Sequence, residues 1–234
     1  YYGVTALMAR VYLCQENLTD ALACAQEVID SKRFEFMNDS INNVYAYRNL
    51  SYIEKMARHE YVSSLYVYDL KEGRSDLFFK NLASCECVIA EGRKASIYSG
   101  MGQDLDIRSK NWFETPAGSA TEYVNKYMRG TQIPLLKLSE MYLIAAEASG
   151  DIRYLETLRA NRGYATDPLP AGANLQDEIT KEYQKEFIAE GQLFYYYKRR
   201  NMAILPITST SMNRATYVLP VPDNELEFGN FKQN

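Results

Sequence analysis

The stretch EYQKEFIAEGQLFYYYKRR, residues 182–200, gathers the side chains of this sequence most able to do chemistry. Glu182, Glu186 and Glu190 recur at i, i+4 and i+8, with Lys181 and Lys185 beside them, so a helix would carry them as a charged ladder on one face. Paired carboxylates can act as acid and base on a glycosidic bond, but they must face each other across a substrate, about 5 to 10 Å apart. A ladder on one helix faces one way, which favours a structural or solvated face over catalysis. Tyr195, Tyr196 and Tyr197, followed by Arg199 and Arg200, could stack bases and grip phosphate. Three successive residues point in three directions around a helix, however, and the cations stand where a helix C-terminus favours positive charge.

Other catalytic arrangements lack parts. His59 is the one histidine in 234 residues, which leaves a serine–histidine–aspartate triad a single possible base and excludes a histidine-rich metal site. The segments EGRK and SGMG lack the context of a phosphate-cradling loop. The chain therefore reads as a non-enzyme with no cofactor. A net charge of -4 and a pI near 5.3 provide no global field for a phosphate polymer, so no nucleic-acid partner is expected. No window approaches the ~20 apolar residues that span a bilayer. Cys14, Cys24, Cys85 and Cys87 show neither zinc spacing nor a CxxC pair and are expected as free, buried thiols. Twenty tyrosines against one tryptophan suit either half-buried helix seams or faces that stack on sugars. The second use gathers on Tyr98, Trp112, Phe113 and Tyr123, which lie among Asn, Asp, Gln and Arg and form a candidate ligand-binding set; the competing reading makes them core anchors.

The elements that must position these groups are mostly helical. Val4, Leu7, Met8, Val11 and Tyr12 recur at helical spacing, Thr19 is a candidate N-cap, and Ala21, Ala25 and Val28 form a small-residue stripe on a second helix. Residues 1–30 thus read as a helical hairpin of tetratricopeptide-like type. Residues 31–130 form a loop-rich insertion in which 60–70 fits strand or helix equally. Residues 131–201 read as a helical repeat. Pro134 stands at the first position of a helix stopped by Gly150, a partner helix carries Leu155, Leu158, Arg159 and Arg162, and one long helix runs from about Leu175 to Asn201. Glu140 and Glu147, seven apart, share an angular position on the first of these. Residues 202–234 form an extended, proline-braked tail. The whole reads as one mainly α domain whose chain opens already in helical register, with more chain expected upstream.

Several segments together resemble the SusD/RagB family, outer-membrane nutrient-binding lipoproteins of Bacteroidetes-type bacteria. ALMARVYLCQENLTDALACAQEVI is similar to that family's helical hairpin. IPLLKLSEMYLIAAEA is similar to its most diagnostic helix, through Lys137, Glu140, Tyr142, Leu143 and the closing Ala-Glu-Ala at 146–148. Arg159 and Arg162 resemble its paired arginines; Glu182, Lys185, Glu186, Phe187, Glu190 and Gly191 resemble the helix before its aromatic run. Asp106-x-Arg108, Lys126-Tyr127 and the terminal Pro220, Pro222 and Glu225 fit further motifs.

The resemblance implies a SusD-like α-superhelix represented by its C-terminal half, in which Glu140, Glu147, Arg159, Arg162, Glu182, Glu186 and Glu190 are structural. It also implies a non-catalytic, surface-exposed outer-membrane lipoprotein that captures oligosaccharides or peptides for a SusC-like TonB-dependent transporter. Membrane attachment would come only through an N-terminal lipid anchor not present in these residues. The alternative is a helical-repeat protein-interaction scaffold without a small-molecule ligand.

Overall fold

The computed structural model describes residues 1–36, 58–68, 88–89, 92–98, 105–115, 122–124, 126, 132–206, 208–218 and 222. Much of the 31–130 insertion lies outside them, as do Cys85, Cys87, Tyr127, Pro220 and Glu225. The chain divides into two compact units, Tyr1–Ala189 and Glu190–Asn234.

Helix α1 (Tyr2–Cys14) and helix α2 (Leu18–Asp30) form the expected hairpin. Asn17, rather than Thr19, caps α2 by accepting a hydrogen bond from the Asp20 amide at 3.3 Å. Ala6, Ala9, Ala21 and Ala25 are fully buried and share one apolar cluster with Leu13, Val28, Met141, Ile144 and Ala145. Side chains this small let helix backbones approach closely, and a methylene added there would overpack the seam. Cys14 is exposed and Cys24 half-buried; both are free, so the expectation of buried thiols fails at Cys14, which ends α1 on its outer side.

Strand β1 (Tyr61–Tyr66) settles the strand-or-helix ambiguity, because it pairs antiparallel with β5 (Gln132–Lys137), Leu65 opposite Ile133. Pro134 therefore lies in a strand and not in the first turn of a helix. A proline lacks the N–H that a central strand needs, and in this two-stranded sheet both strands are edges. The small strands β2 (Val88–Ile89), β3 (Phe113–Glu114) and β4 (Glu122–Val124) make a second sheet in the order β2-β4-β3. Two five-residue helices, α3 (Arg93–Ile97) and α4 (Ile107–Asn111), lie between β2 and β3 in sequence.

Helix α5 (Leu138–Ser149) follows β5 directly and is buried along most of its length, from Leu138 to Ala146 apart from Tyr142. It packs on α1, α2, α6 and α7 and ends where Gly150, at φ 70°, donates back to the Ala146 carbonyl. Helix α6 (Ile152–Arg159) is capped by Asp151 and continues into one π-helical turn, Ala160–Tyr164. Helix α7 (Leu175–Glu186), capped by Asn174, ends at Glu186. The single helix expected from Leu175 to Asn201 is thus two: Ala189 at φ 59° and Gly191 at φ 72° leave helical space before α8 (Gln192–Arg199). In the second unit, Phe194 packs on Tyr217, whose hydroxyl donates to the Met202 carbonyl at 2.9 Å, while Tyr195 stays 65% exposed.

The π turn depends on Gly163. Its φ of 106° suits glycine, and a Cβ built there would stand 2.2 Å from the Leu105 carbonyl oxygen. That close approach sets Arg162 beside the start of α4. Gly163→Ala is expected to lower stability by more than the about 1–3 kcal/mol of a strained φ alone, because backbone must also move. Gly172→Ala, at φ 81° with open space around it, supplies the strain-only reference in parallel urea unfolding.

Candidate functional site

Glu186 closes α7 and binds through both its side chain and its main chain. Its Oε1 accepts from Arg162 Nε at 2.6 Å and from Arg108 Nη1 at 2.8 Å. Its carbonyl, left without a helical partner at the helix end, accepts from Lys126 Nζ at 2.7 Å and Lys137 Nζ at 3.0 Å. Arg108 reaches onward to Glu182 Oε2 at 2.8 Å and holds Asp106 through its Nε and Nη2 at 2.9 and 2.6 Å. Asp106 also caps α4 through the Arg108 amide at 2.9 Å. Arg162 forks onto Glu60, with both contacts at 2.7 Å. Glu182 Oε1 completes the set with Lys185 Nζ at 2.9 Å and Arg159 Nη1 at 3.4 Å.

These groups are dry. Glu60, Asp106, Arg108, Arg162, Glu182 and Glu186 are each 0% exposed. A lone charge in such a place would be neutralised or expelled, so the pairing must outweigh the loss of hydration. Burial pushes Glu182 up, but Arg108 and then Lys185 outweigh it and hold the carboxyl at about 2. Burial likewise opposes the charge on Glu186, and Arg162, Arg108 and Lys137 drive its pKa well below the ordinary range. Burial works against the Arg108 cation, which Asp106, Glu182 and Glu186 more than restore. Neither glutamate can lend a proton near neutrality, and each faces cations instead of a second acid across a cleft. The arrangement is a brace that ties α4, the π turn, α7 and the segments around Glu60 and Lys137.

Glu182 and Glu186 therefore belong to one buried network and not to a solvated ladder. Glu190 lies past the end of α7, half-buried in the second unit. Arg159 and Arg162 converge on α7 as quoted above, and Arg159 also donates to the Asp167 carbonyl at 3.2 Å. Glu140 stands apart from this network; it clasps α1 through Arg10, whose Nε and Nη2 lie 2.6 and 2.7 Å from its two oxygens. Glu147 is half-buried on α5. Sequence reasoning missed Glu60 and Arg10. Their partners lie 102 and 130 positions away, and nothing local marks either residue.

Tyr98, Trp112, Phe113 and Tyr123, expected to offer ring faces to a ligand, are 0, 1, 6 and 4% exposed. Each is engaged within the protein. Lys126 Nζ sits 3.8 Å from the centre of the Trp112 ring, Lys94 Nζ lies 5.1 Å from that of Phe113, and Tyr98 meets Phe113 edge-on at 5.8 Å. Tyr123 lies in the middle of β4, between Val88 and Glu114. Their faces are covered, and the aromatic rings exposed on the first unit are Tyr1, Tyr66 and Tyr68, among the described residues. Also among the described residues, no cluster of His, Cys, Asp and Glu could hold a metal ion, and no helix is long and apolar enough to cross a membrane.

Helices packed on an alanine-lined seam and tied by a buried ionic brace, with two short sheets, define a mainly α scaffold of tetratricopeptide-like type. More particularly, the fold is that of SusD superfamily proteins. A protein from Bacteroides vulgatus ATCC 8482 named as a candidate sugar-binding protein superposes with a TM-score of 0.68 at 22% identity, over 97% of this chain and 57% of that one. A SusD superfamily protein from the same organism gives 0.63 at 19% identity, over 97% and 57%. Another, from Bacteroides thetaiotaomicron VPI-5482, gives 0.65 at 19% identity, over 86% and 49%. This chain thus spans about half to three-fifths of the length of those structures. No family model matches the chain, and no curated protein matches it by sequence.

Two outcomes follow from the brace. Arg162→Met removes the two-pronged partner of buried Glu60 and one of the two arginines on Glu186, and unfolding measurements should show a loss of about 3–5 kcal/mol. Glu182 has a folded pKa of about 2, below the ordinary glutamate value of about 4.3, so its contribution is complete above the higher value and vanishes as pH falls through the lower. Urea midpoints recorded between pH 2 and 7 should therefore drop with acid below about pH 4.3, and Glu182→Gln should flatten that slope while lowering the neutral plateau.

Proposed function

We propose that this chain is the scaffold portion of a non-catalytic cell-surface protein that captures oligosaccharides and passes them to a SusC-like TonB-dependent transporter in the outer membrane. The observation that carries this reading is the match in fold, over 97% of the chain, to a protein named as a candidate sugar-binding protein. The chemistry of the brace agrees with it. The clustered carboxylates are committed to arginine and lysine, so the groups that could hydrolyse a glycan are spent on holding the frame together. Attachment to the membrane belongs, on this reading, to a lipid anchor outside these residues.

Ligand contact then falls to rings that reach water. Tyr66 closes β1 and Tyr68 lies in the turn that follows it, 66 and 85% exposed. Tyrosine presents a flat face for the C–H side of a sugar and a hydroxyl for its oxygens. Tyr98, Trp112, Phe113 and Tyr123 serve by holding the surrounding backbone in place. The alternative is a helical-repeat scaffold that binds only protein.

Isothermal titration against an oligosaccharide panel tests the proposal. Wild type should bind at least one member, and Tyr68→Ala should weaken that binding about 2- to 10-fold without lowering thermal stability. Trp112→Ala is a poor probe, because a buried tryptophan removed from a core destabilises by about 3–5 kcal/mol. Pull-down from an envelope fraction supplies the second arm. Recovery of an outer-membrane transporter supports the reading, whereas silence across the whole panel with only a soluble protein recovered removes it in favour of the protein-binding scaffold.

A further inference from the structure

The ladder of β1 and β5 is fixed at one end and open at the other. At the fixed end Tyr61 faces Lys137, which is buried and donates to the Glu186 carbonyl at 3.0 Å. At the open end Leu65 faces Ile133 and Tyr66 faces Gln132, in unbroken register with Ser64 and Pro134. Side chains alternate along a strand, and residues directly opposite on antiparallel strands share a side, with Cβ atoms about 4.5–5.5 Å apart. Ser64, Pro134, Tyr66 and Gln132 therefore stand on one side of the ladder, Leu65 and Ile133 on the other. Pro134 is buried, whereas Tyr66 is 66% exposed. The side that is covered at Pro134 has thus opened by the next pair along it, and that pair is a ring with a carboxamide opposite.

Leu65 and Ile133, on the far side, carry only hydrocarbon. Gln132 is half-buried, and neither its carboxamide nor the Tyr66 hydroxyl has a hydrogen-bond partner among the described residues. A primary amide presents donors and an acceptor in one plane, so it can meet two neighbouring hydroxyls at once, and a tyrosine ring offers a face to the C–H side of the same sugar. Charge is missing from this end. The one charged residue of the two strands is Lys137, at the buried end. A carboxylate or sulfate brought to the open end would lose water there without gaining a cation from either strand.

We infer, resting on the oligosaccharide capture proposed above, that Tyr66 and Gln132 form a subsite for one uncharged pyranose unit with vicinal hydroxyls, and that Gln132 sets its specificity. Strand residues whose ladder is tied at its other end to the buried brace keep their spacing without a ligand, so binding costs little ordering entropy.

Isothermal titration of the natural full-length polypeptide tests the subsite, with cellohexaose, maltohexaose, mannohexaose and xylohexaose as neutral probes and hexagalacturonate as the acidic one. Wild type should bind at least one neutral probe, and more tightly than hexagalacturonate. Gln132→Leu keeps the bulk and removes every hydrogen-bonding group of the side chain; it should weaken that binding about 5- to 20-fold at an unchanged thermal midpoint. Gln132→Arg adds the missing cation and should shift preference toward hexagalacturonate, a change that a merely structural residue would not produce. If Gln132→Leu lowers the midpoint, Gln132→Thr, a good strand former whose hydroxyl stops short of the carboxamide's reach, supplies the same reading. Equal affinity in wild type and these variants overturns the subsite while leaving oligosaccharide capture standing, and so does a wild type that binds hexagalacturonate best. Silence toward all five probes also overturns it, and the envelope pull-down then decides separately whether capture survives.

Discussion

A helix that ends inside a protein leaves carbonyl oxygens with no partner, and a carboxylate at that same end adds a full negative charge to the unfavourable pole of the helix dipole. Both problems meet at Glu186. Two lysines take its carbonyl and two arginines take its carboxylate, and each donor arrives from a different part of the chain. Residues far apart in sequence are held in place because that one helix end would otherwise be untenable. The break after α7 is part of the same solution. Were the helix to continue toward Asn201, the Glu186 carbonyl would be used internally and the lysines would have no acceptor there.

The rest of the first unit divides the labour between two kinds of contact. Alanines at the α1, α2 and α5 seam permit close approach, which supplies dispersion and burial but little directional information. The ionic groups supply direction. A guanidinium fork fixes angle as well as distance: Arg162 forks onto Glu60 and Arg108 onto Asp106, and from those fixed positions their remaining contacts to Glu186 and Glu182 set α7 against the π turn and α4. Arg10 and Glu140 do the same on a smaller scale for α1 and α5.

The hairpin, the presence of α5 and α6 and the stop of α5 at Gly150 were legible because local spacing decides them: apolar periodicity, an alanine stripe, a glycine stop. The strand at 132–137 was not, since a strand exists only through its partner and β1 lies about seventy residues earlier; the apolar run into α5 looks helical alone. The charged ladder misled for a related reason. A glutamate every four residues has the same local appearance whether water or arginine stands opposite, and arginines from positions 108 and 162 decided the matter. Resemblance to a family carried more: Asp106, Arg108, Lys126, Lys137, Arg159, Arg162, Glu182, Lys185 and Glu186, scattered among separate motifs, converge in one network. Trp112 among polar neighbours looked like a platform, yet Lys126, which was not among those neighbours, covers its ring.

Complete enclosure of the brace has one more consequence. Mobile counter-ions weaken attraction between charges that water reaches, and they act little on pairs sealed in protein. Changing salinity should loosen rim contacts such as Arg153 with Asp151 while leaving the Arg162–Glu60 fork as firm as before. A frame locked this way keeps its shape in dilute and briny surroundings alike.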